Sequence, residues 1–206
     1  IAVVGNFSGG DKTVAVAAVS ANSAVIALML NLFIGIALGA NVVIAHAIGR
    51  GDKKTVEKAV HTSVTVSLIA GVLVSAIGIL LSGPALSALD VPNEVLPSAL
   101  LYLRIYLVGM PVILLYNFEA AIYRSIGDTK TPLVTLLLSG ILNVILNLIF
   151  VALLGMTVDG VAIATVISNA VSALILFVKL TKTSAPIRLT ASLLRIDWPT
   201  LWSILK

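Results

Sequence analysis

The chain has 206 residues, 59% of them hydrophobic and only 11% charged, with a net charge of +4 and a mean hydropathy of +1.14. A soluble domain is nearer half apolar and a quarter charged, so a single core of this size cannot hide the apolar surface and the solvent for most of the chain is lipid. The absence of cysteine excludes disulfide and thiol chemistry, and two histidines, His46 and His61, are too few for a histidine-based metal cluster.

Five segments are long and apolar enough to cross a bilayer, and they predict an all-α, polytopic helix bundle. Residues 1–11 lack the basic start and apolar core of a signal peptide, and the opening "IAVV" and closing "WSILK" both look like cut ends. The first span, Val14–Ile48, covers 35 residues. As helix it would extend about 52 Å, against a hydrocarbon core of about 30 Å, so it is either steeply tilted or projects beyond the membrane. Its Asn22, Asn31, Asn41 and His46 form no single stripe, and Gly35 and Gly39 make a GxxxG pair suited to close helix packing. The stretch "GRGDKKTVEK" follows, with Arg50, Lys53, Lys54 and Lys58. Its Arg50-Gly51-Asp52 triplet is too short a string, in the wrong flanks, for an adhesion motif.

The second span is Ser63–Leu81, and the loop after it has Asp90 and Glu94 but no basic residue. The third, Leu96–Ile122, contains Arg104, expected to reach the outer headgroups or to cap a buried carbonyl. It also contains Glu119, flanked by Tyr116 and Tyr123. The expectation is that Glu119 snorkels to the interface or pairs with Arg124; the second reading is a neutral acid that carries protons. The fourth span, Leu133–Leu154, places Ser139, Asn143 and Asn147 at i, i+4 and i+8 on one face. After a short loop with Asp159, the fifth span, Val161–Leu180, bears a stripe of Thr165, Ser168, Asn169 and Ser172.

Loops rich in Lys and Arg alternate with loops that have none, which places the basic loops and the C-terminus in the cytoplasm and the N-terminus outside. This accounts for the positive charge without a nucleic-acid partner. An outside N-terminus implies an upstream helix. The bundle is expected over residues 1–183. Residues 184–206, with Leu, Ile and Trp at helical spacing between basic residues, are expected to form an amphipathic linker in the cytoplasmic interface.

The short connection makes the last two spans antiparallel neighbours whose polar faces can meet. Carbonyl and hydroxyl oxygens there suit a hard monovalent cation or a hydrogen-bonded substrate; the alternative is interhelical hydrogen bonding of about 1 kcal/mol per pair. "GNFSGG" is no phosphate loop and no Ser/His/Asp arrangement can be assembled, so the chain does not read as an enzyme. "AIGRGDKKTV" and "SIGDTKTPLV" echo one another as Gly-Asp turns at helix ends, which suits a transporter built from repeated hairpins.

The stretches "FIGIALGANVVIAHAIGRGD", "YNFEAAIYRSIGDTKTPL", "ILNVILNLIFV" and "MTVDGVAIATVISNAVSA" together resemble the multidrug and toxic compound extrusion (MATE) family of secondary transporters. The resemblance implies two six-helix bundles and export of organic cations driven by Na⁺ or H⁺, with this chain as the second to sixth helices of the first bundle. It implies as partners the lipid bilayer of the cell membrane, a first helix and second bundle of the same chain, and a small organic cation, with no cofactor beyond the coupling ion. It maps a cation site onto Asn143, Asn147 and Thr165, together with an Asp on the absent helix; the polar residues of the spans themselves give Ser139, Ser168, Asn169, Ser172 and Glu119 as candidates to line a cavity. One position departs from the pattern: the family's fifth-helix carboxylate is Asn147, which can coordinate Na⁺ but cannot carry a proton. Coupling would then rest on the absent Asp, on Glu119 or on the second bundle. The competing readings are a lipid-linked oligosaccharide flippase of the same superfamily, a scaffold subunit without transport, and a channel.

Overall fold

The computed structural model describes residues 12–206, and among these every regular element is helical. In chain order they are α1 (Lys12–Gly49), α2 (Lys53–Ala88), α3 (Leu96–Val108), α4 (Met110–Ser125), α5 (Lys130–Asn147), α6 (Val158–Lys182) and the short α7 (Trp198–Leu205). A π-helical turn, Leu148–Leu153, continues α5, and a 3₁₀ turn, Ala191–Leu193, precedes α7. Inside lipid every backbone N–H and C=O must be paired within the chain, and uninterrupted helices satisfy this. Four helices, α1, α2, α5 with its π turn, and α6, are each long and apolar enough to cross a membrane, and the bent pair α3 and α4 is so too when counted as one span.

The helix ends sort by charge as the loop pattern predicts: Arg50, Lys53, Lys54, Lys58, Arg124, Lys130, Lys179 and Lys182 gather at one end of the bundle. The α2–α3 and α5–α6 connections lie at the other. Both Gly-Asp turns sit at the basic end and share one construction. Gly51 and Gly127 take φ of 69° and 79°, in the left-handed region that favours glycine. The following aspartate accepts from a backbone N–H three residues on, Thr55 to Asp52 at 3.1 Å and Thr131 to Asp128 at 2.9 Å. The two turns are therefore the same helix-entry device, placed before α2 and before α5.

The third span bends by 51° at Gly109, between α3 and α4, where the sequence pattern suggested one continuous helix from 96 to 122. Pro111 has no N–H to give, and Gly109 lets α6 approach so closely that a Cβ there would lie 2.5 Å from Val166 Cγ2. The second span is longer than the hydropathy suggested: helix continues through Ser82, Gly83 and Pro84 to Ala88 and stops at Asp90, whose φ is 51°. Gly39 does pack closely, against the backbone of Ile204 in α7, whereas a Cβ on Gly35 would meet nothing within 4 Å among the described residues.

Residues 184–206 do not form a single amphipathic helix. Pro186 interrupts the pattern, Pro199 sits in the first turn of α7, where its missing N–H costs nothing, and only Trp198–Leu205 is α-helical. Residues 184–197 instead run as a strap across the basic end of α2. The Leu189 N–H donates to the Leu180 carbonyl, the Thr190 N–H to His61 Nε2, and the Asp197 N–H to Thr62 Oγ1, each at 3.0 Å. Because His61 Nε2 accepts, Nδ1 bears the hydrogen and donates to the Glu57 carbonyl at 2.7 Å. Lys58 and Asp197 add an ion pair at 3.1 Å, and Ile187 and Leu189 are fully enclosed.

The core divides along the bundle. Near the acidic end Leu86, Ala99, Leu103, Leu107 and Leu114 pack together; near the basic end Ile44, Val60, Val64, Ile122 and Leu176 do so. Outward faces are apolar and open, as on α5, where Leu133, Leu137, Ile141 and Val144 are all more than half exposed; this is the lipid-facing belt.

Two predictions follow from these contacts. At Gly71 a Cβ would collide with the backbone of Pro111, so Gly71→Val is expected to cost about 1–3 kcal/mol by overpacking. That is roughly 2–4 °C in Tm per kcal/mol in a detergent melt, with Gly35→Ala unchanged. The hydrogen bonds from Thr55 and Thr131 hold the Asp52 and Asp128 carboxyls below the usual aspartate range. Groups with depressed folded values stabilise above the unfolded value and lose that contribution as pH falls through the folded one, so both caps should weaken below about pH 4. An NMR titration in which Thr55→Val returns Asp52 toward its ordinary value checks this.

Candidate functional site

α5 and α6 run antiparallel across a tight turn in which Gly155 has φ of 67° and Asp159 accepts from the Thr157 N–H at 2.9 Å. This hairpin brings the two polar stripes face to face. Ser139 Oγ donates to the Ser168 carbonyl at 2.8 Å. One turn along, Asn143 Nδ2 donates to Ser168 Oγ at 3.1 Å and, more weakly, to Thr165 Oγ1 at 3.4 Å. Asn147 Nδ2 reaches back to Asn143 Oδ1 at 2.9 Å and to the Asn143 carbonyl at 2.8 Å. Thr165 and Ser168 direct their hydroxyl hydrogens to the carbonyls of Val161 and Ala164, at 2.9 and 2.7 Å. Asn169 donates to the Thr165 carbonyl at 2.8 Å.

The structure therefore joins Ser139, Asn143, Asn147, Thr165 and Ser168 into one hydrogen-bonded seam; Asn169 and Ser172 lie further along α6 and bond to none of the α5 residues among the described contacts. The seam is rich in oxygen. Asn147 Oδ1 is buried and accepts nothing, and Ser172 Oγ is likewise buried without a partner. No carboxylate takes part, and among the described residues no three His, Cys, Asp or Glu side chains cluster as metal ligands. A site of amide and hydroxyl oxygens without fixed charge suits a hard, weakly charged cation such as Na⁺.

Glu119 differs from its expected placement. It neither snorkels nor pairs with Arg124: the carboxyl is fully buried, both oxygens are unpartnered, and Arg124 Nε donates to the Ala120 carbonyl at 3.0 Å. The packing of α4 explains this, because Glu119 shares a face with Leu115 and Ile122, which point into the basic-end core. Arg104 stays exposed and donates to Ser82 Oγ at 3.3 Å.

Two asparagines of α1, Asn22 and Asn41, are interhelical ties. Asn22 Nδ2 donates to the Ala99 carbonyl at 3.0 Å, fastening α1 to α3, and Asn41 Nδ2 to the Ala121 carbonyl at 2.9 Å, fastening α1 to α4. No stripe in the sequence signals these, because each asparagine meets a different neighbour. Ser63 on α2, buried and without a partner, was also invisible to spacing.

A multi-pass helical bundle, lipid-facing outside and crossed by a polar interhelical seam, has the architecture of a membrane transporter. The sequence matches the MatE family over residues 1–149, and the chain belongs to that family. It is 33% identical over 191 residues to the probable multidrug resistance protein YoeA of Bacillus subtilis, covering 90% of this chain and 40% of that protein. It also superposes on the inward-facing conformation of a multidrug resistance MATE family transporter of the MOP superfamily, with a TM-score of 0.87 at 27% identity, covering 93% of this chain and 44% of that one. An outward-facing conformation of a transporter so described gives the same TM-score and identity, covering 99% and 45%. The chain thus spans less than half the length of the relatives it matches.

If the seam is a single network, Asn143→Ala and Ser168→Ala will not add. A double-mutant cycle on Tm or denaturant midpoint is expected to show a coupling of about 0.6–1.7 kcal/mol. Strict additivity would mean that the two side chains do not share a bond.

Proposed function

We propose that this chain works as one bundle of a secondary active exporter of organic cations, which exchanges its substrate for Na⁺ or H⁺ by alternating access. The observation that carries this is the α5–α6 seam: five polar side chains bonded across two apolar helices, where intramembrane polar groups default to function. Asn143, Asn147 and Thr165 hold the cation, with Ser168 beside them; rotation of the Asn143 amide exchanges its Nδ2 for Oδ1 and points a carbonyl oxygen at the two hydroxyls. The unpartnered Asn147 Oδ1 is a further ligand already desolvated. Ser139 and Asn169 extend the polar surface toward the substrate path. No asparagine can carry a proton, so this seam serves Na⁺ or the cationic substrate, and proton coupling needs a carboxyl elsewhere.

Equal likeness to inward-facing and outward-facing structures supports a bundle that rocks as a rigid body against a second bundle, with the missing ligands of the seam supplied by the rest of the protein. The basic end faces the cytoplasm of a cell membrane, by the positive-inside rule. There α7 presents Trp198 and Trp202, 72% and 64% exposed, with Lys206 Nζ 6.0 Å from the Trp202 ring, a composition suited to the headgroup layer.

The test is efflux of a fluorescent organic cation from proteoliposomes, with a Na⁺ gradient and a pH gradient imposed separately. Efflux is expected under an imposed gradient and should fall on the order of tenfold or more in the Asn143→Ala, Asn147→Ala double variant. Dye retention under both gradients would overturn the exporter and leave the seam as helix packing.

A further inference from the structure

Glu119 is the one described carboxyl group that is buried; Asp52, Glu57, Asp90, Glu94, Asp128, Asp159 and Asp197 all reach the surface. It stands on α4 between Leu115 and Ile122, whose cluster also contains Val60 and Val64 of α2 and Ala173 and Leu176 of α6. Two other buried oxygens without partners belong to the same region. Ser63 Oγ adjoins Val64 on α2, and Ser172 Oγ adjoins Ala173 on α6. Three helices that pack together thus each carry a buried, unsatisfied polar side chain next in sequence to, or on the same helical face as, residues of one apolar cluster. Buried polar groups are otherwise almost always paired, so three such groups together call for an explanation.

Among the described residues no cation answers the carboxyl. On α4 the titratable neighbour is Tyr123, while Tyr116 donates to the Pro132 carbonyl and Arg124 is turned to Ala120. On α2 His61 is engaged with Glu57 and Thr190, and Glu57 and Lys58 are exposed. His46 of α1, Lys130 of α5 and Lys179 and Lys182 of α6 are exposed near the basic end, and Arg104 of α3 bonds to Ser82. A carboxylate with neither a cation nor a hydrogen-bond donor is not sustained in such a core, whereas the neutral acid is.

We propose that Glu119 is the proton-exchange residue of this bundle, closed as the neutral acid while α2, α4 and α6 pack as described, and ionised when they part. On opening, the carboxyl O–H bond breaks, the proton passes to an entering water, and the carboxylate accepts hydrogen bonds from the Ser63 and Ser172 hydroxyls. The two serines then have the partner they lack in the closed state. The role in coupling rests on the exporter reading above; the protonation itself does not.

Dicyclohexylcarbodiimide, an apolar reagent that adds to neutral carboxyl groups from the lipid phase, tests the protonation in proteoliposomes without any variant. Peptide mass spectrometry should find the adduct on Glu119, forming more slowly as pH is raised between about 5 and 9. No adduct there at any pH, or a rate indifferent to pH, would overturn the proposal. For the coupling, Glu119→Gln keeps the shape of the neutral acid and should abolish pH-gradient-driven efflux while preserving substrate–substrate exchange across the membrane. Full pH-driven efflux in that variant would refute the role. Efflux driven only by Na⁺ and indifferent to the variant refutes the proton site and leaves the exporter standing; an adduct with no efflux under either gradient does the reverse.

Discussion

The backbone of Pro111 lies directly against Gly71, with no side chain between them, and the bundle is arranged around that contact. Helices normally pack at 8–10 Å because side chains hold them apart. Here α2 and α4 meet at glycine, and the missing N–H of Pro111 starts α4 in a new direction. The bend at Gly109 follows, and so does the close fit of Val166 from α6. As a result α4 is enclosed by α1, α2 and α6, and ten of its sixteen residues are buried. A carboxyl on the inward face of such a helix has no route to solvent. The enclosure of Glu119 is therefore a consequence of where a glycine of α2 meets a proline of its own helix, α4.

The same logic sets the hydrogen bonding. In lipid there is little hydrophobic drive between helices, and directional bonds to backbone carbonyls do the locating. Asn22 and Asn41 fix α1 to α3 and α4 through single amides, one near each end of the helix, and the Ser139–Ser168 bond fixes α5 to α6. α5 depends most on this seam, since nearly all its outward residues face lipid. Polar groups that join α5 to the bundle are consequently also the groups exposed to any ion that enters between the two helices. On the proposed reading packing and binding are not alternatives at these residues: an amide that exchanges a hydroxyl partner for a cation serves both.

Much of this was legible in the sequence because lipid imposes simple rules. Span lengths follow from bilayer thickness, the sorting of helix ends follows from Lys and Arg, and the meeting of the Ser139–Asn143–Asn147 and Thr165–Ser168 stripes follows from helical periodicity and a short turn. The Gly-Asp echo proved to be one turn geometry used twice. What stayed hidden depends on contacts distant in sequence. The anchoring of residues 184–197 needs His61 and Thr62, more than a hundred positions away, so a helical spacing of Leu and Trp was read where Pro186 and those anchors impose a strap. The fate of Glu119 could not be read from its helix alone, because snorkelling and enclosure differ only in what covers the residue.

The division of polar chemistry within the bundle has a physical rationale. A seam of uncharged oxygens can be crossed by a cation and left again, since no fixed charge holds the ion too tightly. A carboxylate placed there would bind a cation more strongly but would also need a counter-charge whenever the site stood empty. With asparagine at position 147 that cost does not arise, and the asparagine carries no proton. The one buried acid among the described residues lies instead on α4, in a core flanked by two spare hydroxyls. Its charge can appear only when the helices separate, which ties ionisation to the packing of α2, α4 and α6 and not to occupancy of the seam. If both groups work in one transport cycle, the seam reads the cation and the core reads the proton, and α6, which contributes Thr165 and Ser168 to the first and Ser172 to the second, is the element through which each is felt by the other.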